Sequence, residues 1–206
     1  MSIGVPCKDE SEEKKLSMSG EKRNKLIRIL DQNGTPRGSG DVMSFDEVHA
    51  EGHWHRVVLV CIVNAKNQIL LQQRSKFVAK YPNVWDISVA SHVLYGEYSI
   101  DAAKRSIIEE LKIPLKHEIR LNDFRYITCF RKEDDIEAKK ERQFHDLFFV
   151  RLEGDMPIEK IAFNENDVQN VKWESHPGIL DMNNGNEFFP RTEWISPINE
   201  YLIRGL

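Results

Sequence analysis

The chain has 206 residues, 40% of them hydrophobic, enough to bury one good core, so a single domain with trimmings is expected. A formal net charge of −4 gives no global basic footprint for nucleic acid, although a local basic patch at a phosphate site stays open. Cys7, Cys61 and Cys129 are odd in number without C-x-x-C spacing, and no apolar run is long enough for a membrane span or a signal segment. These features argue against a disulfide framework, a zinc–cysteine site, a membrane protein and a secreted one, and make the cytosol the expected location.

Residues 1–24 mix charges of both signs with Ser and Gly and lack apolar periodicity, so a disordered tail is expected ahead of one domain over 25–206. Lys25 to Leu30 alternates toward a strand, and Asn33-Gly34 with Pro36 marks a turn. His55 to Val63 is a β-branched run without polar alternation, the expected sheet centre, and Asn64 to Gln68 turns it into a hairpin with Ile69 to Gln73. Val84 to His92 reads as one short strand. A loop carrying Glu97 then leads into a helix from Ser99, whose hydroxyl suits an N-cap, with Asp101 in the first turn.

Ile100, Ala103, Ile107 and Leu111 form the core stripe of that helix, and Arg105, Glu109 and Glu110 lie away from it. On the helical wheel Ser106 projects between Glu109 and Glu110 and Ala102 sits beside Glu109, leaving space between two carboxylates that suits a hard cation such as Mg²⁺. An acidic face turned to solvent is the alternative. Lys112 stands where a C-capping glycine would fit and has to leave the helix another way, with Pro114 as the stop. Phe124 to Phe130 and Phe144 to Leu152 read as strands joined by a long solvated charged loop, Val168 to Trp173 as a last short strand, and Glu193 to Arg204 as a docked helix. Together these elements predict an α/β fold, an α/β/α sandwich around a mixed β-sheet.

The spacing of Glu97, Arg105, Ile107, Glu109, Glu110 and Ile113 resembles the Nudix box, G-x5-E-x7-R-E-U-x-E-E-x-G-U, a loop-helix-loop element. Ser91, Ser106 and Lys112 replace the first Gly, the Glu after Arg and the second Gly. The words LLQQRS, WDISVASH and EELKIP are most similar to the isopentenyl-diphosphate isomerase-like branch of the Nudix superfamily. The resemblance implies a Nudix fold and a Mg²⁺- (or Mn²⁺-) dependent hydrolase of a small-molecule diphosphate, such as a nucleoside diphosphate derivative, thiamine diphosphate or an isoprenyl diphosphate. Glu97, Arg105, Glu109, Glu110 and Asp167 are the implied catalytic set, Asp167 ranking above Glu165 as base.

His49, His55 and His92 occupy positions resembling that branch's metal-binding histidines, and imidazole suits Zn or Mn better than Mg. Packing beneath a loop is the alternative for each, and His53 and Trp54 read as loop packing. Arg74, Lys76 and Lys80 either bind diphosphate oxygens or are ordinary surface cations. Ala90 stands where the isomerases carry a catalytic cysteine, which argues against isomerisation, since proton transfer at carbon needs a positioned acid or base. The isomerases' later E-x-E pair falls near Arg142 and Phe144, which would leave Glu141 as the nearest substitute. The missing carboxylate at Ser106 also permits a non-catalytic diphosphate- or metal-binding module.

Overall fold

The first strand, β1 (Leu26–Arg28), forms where alternation places it and pairs antiparallel with β2 (Val42–Ser44) as a small separate sheet. The computed structural model describes residues 25–204 apart from 39, 79, 114–122, 137–138, 153, 155 and 191; the expected tail over 1–24 and the expected stop at Pro114 lie outside the described residues. Ser44 starts α1 (Phe45–Glu51) with a capping box, its hydroxyl taking the Glu47 amide while the Glu47 carboxylate takes the Ser44 amide at 2.9 Å. The S-x-x-E signal is in the sequence, but a seven-residue helix burying only Val48 and His49 leaves almost no hydropathy trace.

The main sheet is built on β3 (His55–Val63), whose uninterrupted apolar run is explained by cover on both faces. Around it lie β4 (Ile69–Arg74), β5 (Trp85–Asp86), β6 (Val89–His92), β7 (Phe124–Ile136), β8 (Lys139–Arg151) and β9 (Val168–Glu174). The order is β5-β4-β3-β8-β7, with β6 also on β3 and β9 on β4; β3 and β8 run parallel and the other pairs antiparallel, so the sheet is mixed. On one face, Val58, Val60, Ile62 and Leu70 pack against Ala103, Ile107 and Leu111 of α2 (Ser99–Leu111). On the other, Val57, Leu59, Cys61 and Leu71 pack against Ile179 of α3 (His176–Asn184), Ile198 of α4 (Ile195–Arg204) and Trp194 just ahead of α4. This is the expected sandwich, and among the described residues no helix is long and apolar enough to cross a membrane.

Three local expectations need correction. The β3–β4 hairpin is splayed, sharing only the pair Val63 and Ile69, and buried Ser88 fills the gap: its hydroxyl accepts from the Ile62 amide at 2.9 Å and donates to the Leu70 carbonyl at 2.5 Å. That crossing breaks Val84 to His92 into two strands on different neighbours, β5 on β4 and β6 on β3. The charged stretch expected as a loop is instead paired strand in β7 and β8, because ladder hydrogen bonds and ion pairs such as Arg142 with Glu133 at 2.9 Å satisfy it.

Within α2, Ser99 is not the cap. Tyr98 holds that position without a side-chain bond, and the Ser99 hydroxyl reaches across to Asp146 Oδ2 at 2.5 Å. Lys112 does not avoid the glycine conformation but adopts it, with φ of 52°, its amide bonded to the Ile108 carbonyl at 3.2 Å.

Candidate active site

The box loop is held to its helix by one side chain. Arg105 donates from Nε to Glu97 Oε1 at 2.6 Å, from Nη2 to Glu97 Oε2 at 3.0 Å and to the His92 carbonyl at 2.9 Å, and from Nη1 to Glu109 Oε2 at 3.0 Å. The Leu94 amide also donates to Glu97 at 3.0 Å. Burial alone would raise the Glu97 pKa, but these bonds and the charges of Arg105 and Lys25 outweigh it and hold the carboxylate below its ordinary range.

The two helix carboxylates do not share an open face. Ser106 and Ala102 are fully buried, and the Ser106 hydroxyl bonds back to the Ala102 carbonyl at 2.7 Å, so it does not project between Glu109 and Glu110. Glu109 turns to Arg105 and to Lys25, 3.6 Å away, while Glu110 turns toward β4, where Gln72 Nε2 donates to its Oε2 at 3.4 Å. A 100° wheel misplaces Ser106 because the stripe facing the sheet is broader than its apolar letters, taking in small residues. Asn164 then fixes the loop before β9 to this turn, its amide on the Glu110 carbonyl at 2.8 Å and its side chain on Asp167 Oδ2 at 2.9 Å.

A second constellation lies across the sheet. Strand alternation puts His55 and His92 on the face of Val57 and Ala90, the face covered by α3 and α4, and α1 brings His49 to them. The three offer ring nitrogens within 4.8 Å of one another, with His92 Nε2 3.3 Å from His49 Nε2. His49 Nδ1 donates to the Phe45 carbonyl at 2.7 Å and His55 Nδ1 to the His53 carbonyl at 2.9 Å, fixing tautomers whose Nε2 lone pairs face the cluster. Burial, together with the nearby His49, outweighs the His53 carbonyl and Glu141 and pulls the His55 pKa down to about 4, so that ring is neutral at physiological pH.

The register of β8 on β3 pairs His55 with Gln143, so Glu141 and Gln143, not Arg142 and Phe144, face the histidines. Glu141 Oε2 lies 3.6 Å from His49 Nε2 and accepts from Gln143 at 2.6 Å, while His145 Nε2 donates to Gln143 Oε1 at 2.8 Å. Glu141 thus stands beside the histidines, and two residues on, the position facing them is an amide, Gln143. Reading this from the sequence fails because the registry is set by a parallel strand pair nearly 90 residues apart. The donor set fits a divalent ion that accepts nitrogen ligands, such as Zn²⁺ or Mn²⁺: three imidazoles, those of His49 and His55 with their second nitrogens anchored to carbonyls, and a carboxylate at the rim.

Of the three expected diphosphate-binding cations, Lys80 ion-pairs with Glu141 at this cluster. Arg74 bonds the Lys80 carbonyl at 2.8 Å and the Tyr81 carbonyl at 3.1 Å, bracing the β4–β5 loop and stacking on Phe189. Lys76 lies over the Phe77 ring.

The family model for the NUDIX domain matches residues 53–193. An uncharacterized Nudix hydrolase of Listeria monocytogenes is 30% identical over 162 residues, 79% of this chain and 86% of that protein. Nudix hydrolase 3 of Arabidopsis thaliana is 34% identical over 130 residues, 62% of this chain, but the match spans only 16% of that protein's length. An isopentenyl-diphosphate Delta-isomerase of Pectobacterium atrosepticum is 36% identical over 85 residues, 41% of this chain and less than half, 46%, of that enzyme. The crystal structure of DR0079 from Deinococcus radiodurans shares the fold, with TM-score 0.64 at 19% identity over 85% of this chain and 98% of that one.

Proposed function

Because this chain belongs to the Nudix family, we propose that it is a cytosolic, divalent-metal-dependent hydrolase that cleaves a diphosphate linked to another moiety. The observation that carries the reading is the Arg105 clamp. It binds Glu97, Glu109 and the His92 carbonyl at once, so the box loop and helix hold the start of the histidine cluster in a fixed place. Rigid positioning of this kind is what phosphoryl transfer requires of a protein, since the chemistry itself is mostly orientation and charge stabilisation.

In this reading Glu110, with Glu109, would hold Mg²⁺ or Mn²⁺, and His49, His55, His92 and Glu141 would hold a second, softer ion. Bound there, such ions supply Lewis-acid polarisation of phosphoryl oxygens and activate water. Lys80 faces this region and would meet diphosphate oxygens as a point charge. Arg74 supports the same loop through carbonyl bonds rather than by a free fork. Asp167 sits on the loop that Asn164 fixes to Glu110 and would take a proton from water there.

One observation favours a second reading, isomerisation of an isoprenoid diphosphate: Glu141 joins the three histidines, as the E-x-E pattern of that branch would require. Ala90, on the same sheet face as His92, opposes it by offering a methyl group where a proton donor is needed. The test is diphosphate or phosphate release from a panel of nucleoside diphosphate derivatives, thiamine diphosphate and isoprenyl diphosphates with Mg²⁺ or Mn²⁺, beside an isomerisation assay on isopentenyl diphosphate. Release that chelator abolishes, and that Glu110→Gln lowers by two orders of magnitude or more, supports the hydrolase. Isomerised product without release overturns it.

A further inference from the structure

We infer that Gln72 of β4 is a ligand of the divalent ion held by Glu110, its side-chain oxygen standing in for the carboxylate that the box lacks at Ser106. The inference rests on the reading of Glu110 as a metal residue. Ser106 is fully buried and its hydroxyl is bonded to carbonyls of its own helix, so it offers no oxygen outward. Glu109 is engaged by the Arg105 guanidinium and Lys25. With Glu109 partly neutralised in this way, Glu110 carries most of the anchoring of an ion that keeps several waters, and a further protein oxygen beside it would strengthen the site.

Strand alternation places Gln72 under α2, on the face of Leu70 and of its cross-strand partner Val171. It is only 4% exposed, and it reaches Glu110 with its amide. The other end of that amide is anomalous: Oε1 is buried with no hydrogen-bond partner. A buried amide oxygen left in this way is destabilising and asks for a partner, either a donor or a cation. Rotating the amide half a turn about its last bond exchanges nitrogen and oxygen, which brings Oε1 to the Glu110 carboxylate. Two oxygens in contact there repel unless a cation lies between them.

The spacing suits one. The Gln72 amide and Glu110 Oε2 are 3.4 Å apart, and an octahedral ion with oxygens at roughly 2.0–2.1 Å sets neighbouring ligands about 3 Å apart, so little movement is needed. A neutral amide oxygen in place of a carboxylate also lowers the charge of the site. That predicts weaker Mg²⁺ binding than a complete box would give, with more of the affinity drawn from substrate phosphates.

The experiment is Mg²⁺ binding to the full chain, read by calorimetry and by the Mg²⁺-dependent rise in melting temperature, without substrate. Mg²⁺ is chosen because imidazoles bind it poorly, which keeps the histidine cluster out of the measurement. Gln72→Leu should weaken Mg²⁺ binding about tenfold, and Gln72→Met, a second apolar variant of similar volume, should match it. Gln72→Glu should bind Mg²⁺ at least threefold more tightly than wild type while melting lower without metal, because two carboxylates then meet with no ion between them. A residue that only orients Glu110 by donating a hydrogen bond predicts the reverse, weaker binding in Gln72→Glu as well, and that result overturns the inference. Wild-type affinity in Gln72→Leu and Gln72→Met overturns it too. Glu110→Gln separates this from the parent reading: loss of Mg²⁺ binding there with no effect at Gln72 refutes the Gln72 role alone, and retention there refutes both.

Discussion

Removing the Arg105 guanidinium should unlatch the box loop, and the cost can be worked from its contacts. Arg105→Ala deletes four hydrogen bonds, three of them to carboxylates, from a side chain 19% exposed whose partner Glu97 is 21% exposed. Fully buried pairs cost about 3–5 kcal/mol when one partner is removed, and exposed pairs contribute about 0–1 kcal/mol. This pair lies between, so about 2–3 kcal/mol is expected, a fall in melting temperature of roughly 5–10 °C for a domain of this size. Arg105→Lys should recover less than half, because one ammonium cannot meet both Glu97 oxygens, the His92 carbonyl and Glu109. The pH dependence has a definite sign. Glu97 is held below its unfolded value of 4.5, so the stability it gains from Arg105 is fully present above that pH and is lost as pH falls through the folded value. The difference in unfolding free energy between wild type and Arg105→Ala, taken from denaturant melts at a series of pH values, should therefore shrink below about pH 4.5. A variant as stable as wild type at pH 7, or a difference that does not narrow in acid, would refute the latch.

Ile107→Ala empties a fully buried position between α2 and the sheet and should cost about 2–5 kcal/mol in the same melts. Lys112→Gly removes the strain of a left-handed lysine at φ 52° and should stabilise the domain by about 1 kcal/mol; destabilisation would mean that the lysine side chain makes a compensating contact. His55 is drawn down from 6.5 to about 4, so the unfolded chain binds its proton first and wild-type stability, measured with chelator present, should fall by roughly 3 kcal/mol as pH drops from 6.5 to 4. His55→Gln should flatten that limb. Lys80→Met frees Glu141 from its ion pair and should raise Co²⁺ affinity at the histidine cluster several-fold, visible in the visible absorption of the bound ion; unchanged affinity would remove Glu141 from the ligand set.

The sequence by itself determined the sheet centre, the helix and the fold class. The nine-residue run of β3, fully apolar from Val57 on, can only be satisfied by cover on both faces, and the α2 stripe has a period that no strand supports. The contact of Arg105 with Glu109 is local as well, an i to i+4 pair on one helix, although the sequence reading set Glu109 beside Glu110 instead. Two things were decided only by tertiary structure. The first is the division of the candidate metal residues onto opposite faces: the letters place His92 five residues before Glu97, but strand alternation at β6 turns His92 toward α3 and α4 while α2 packs on the other side. The second is the identity of the partners. His55 meets Gln143, and Gln72 meets Glu110, through strand registry and helix docking between segments 88 and 38 positions apart. Such registry is set by the summed packing of the whole sheet, and a slip of one residue would reverse every side chain in it. The sequence names Glu141 as the nearest acid but not the face it takes, and nothing local marks Ser106 as buried rather than exposed; the sheet that each residue meets decides it.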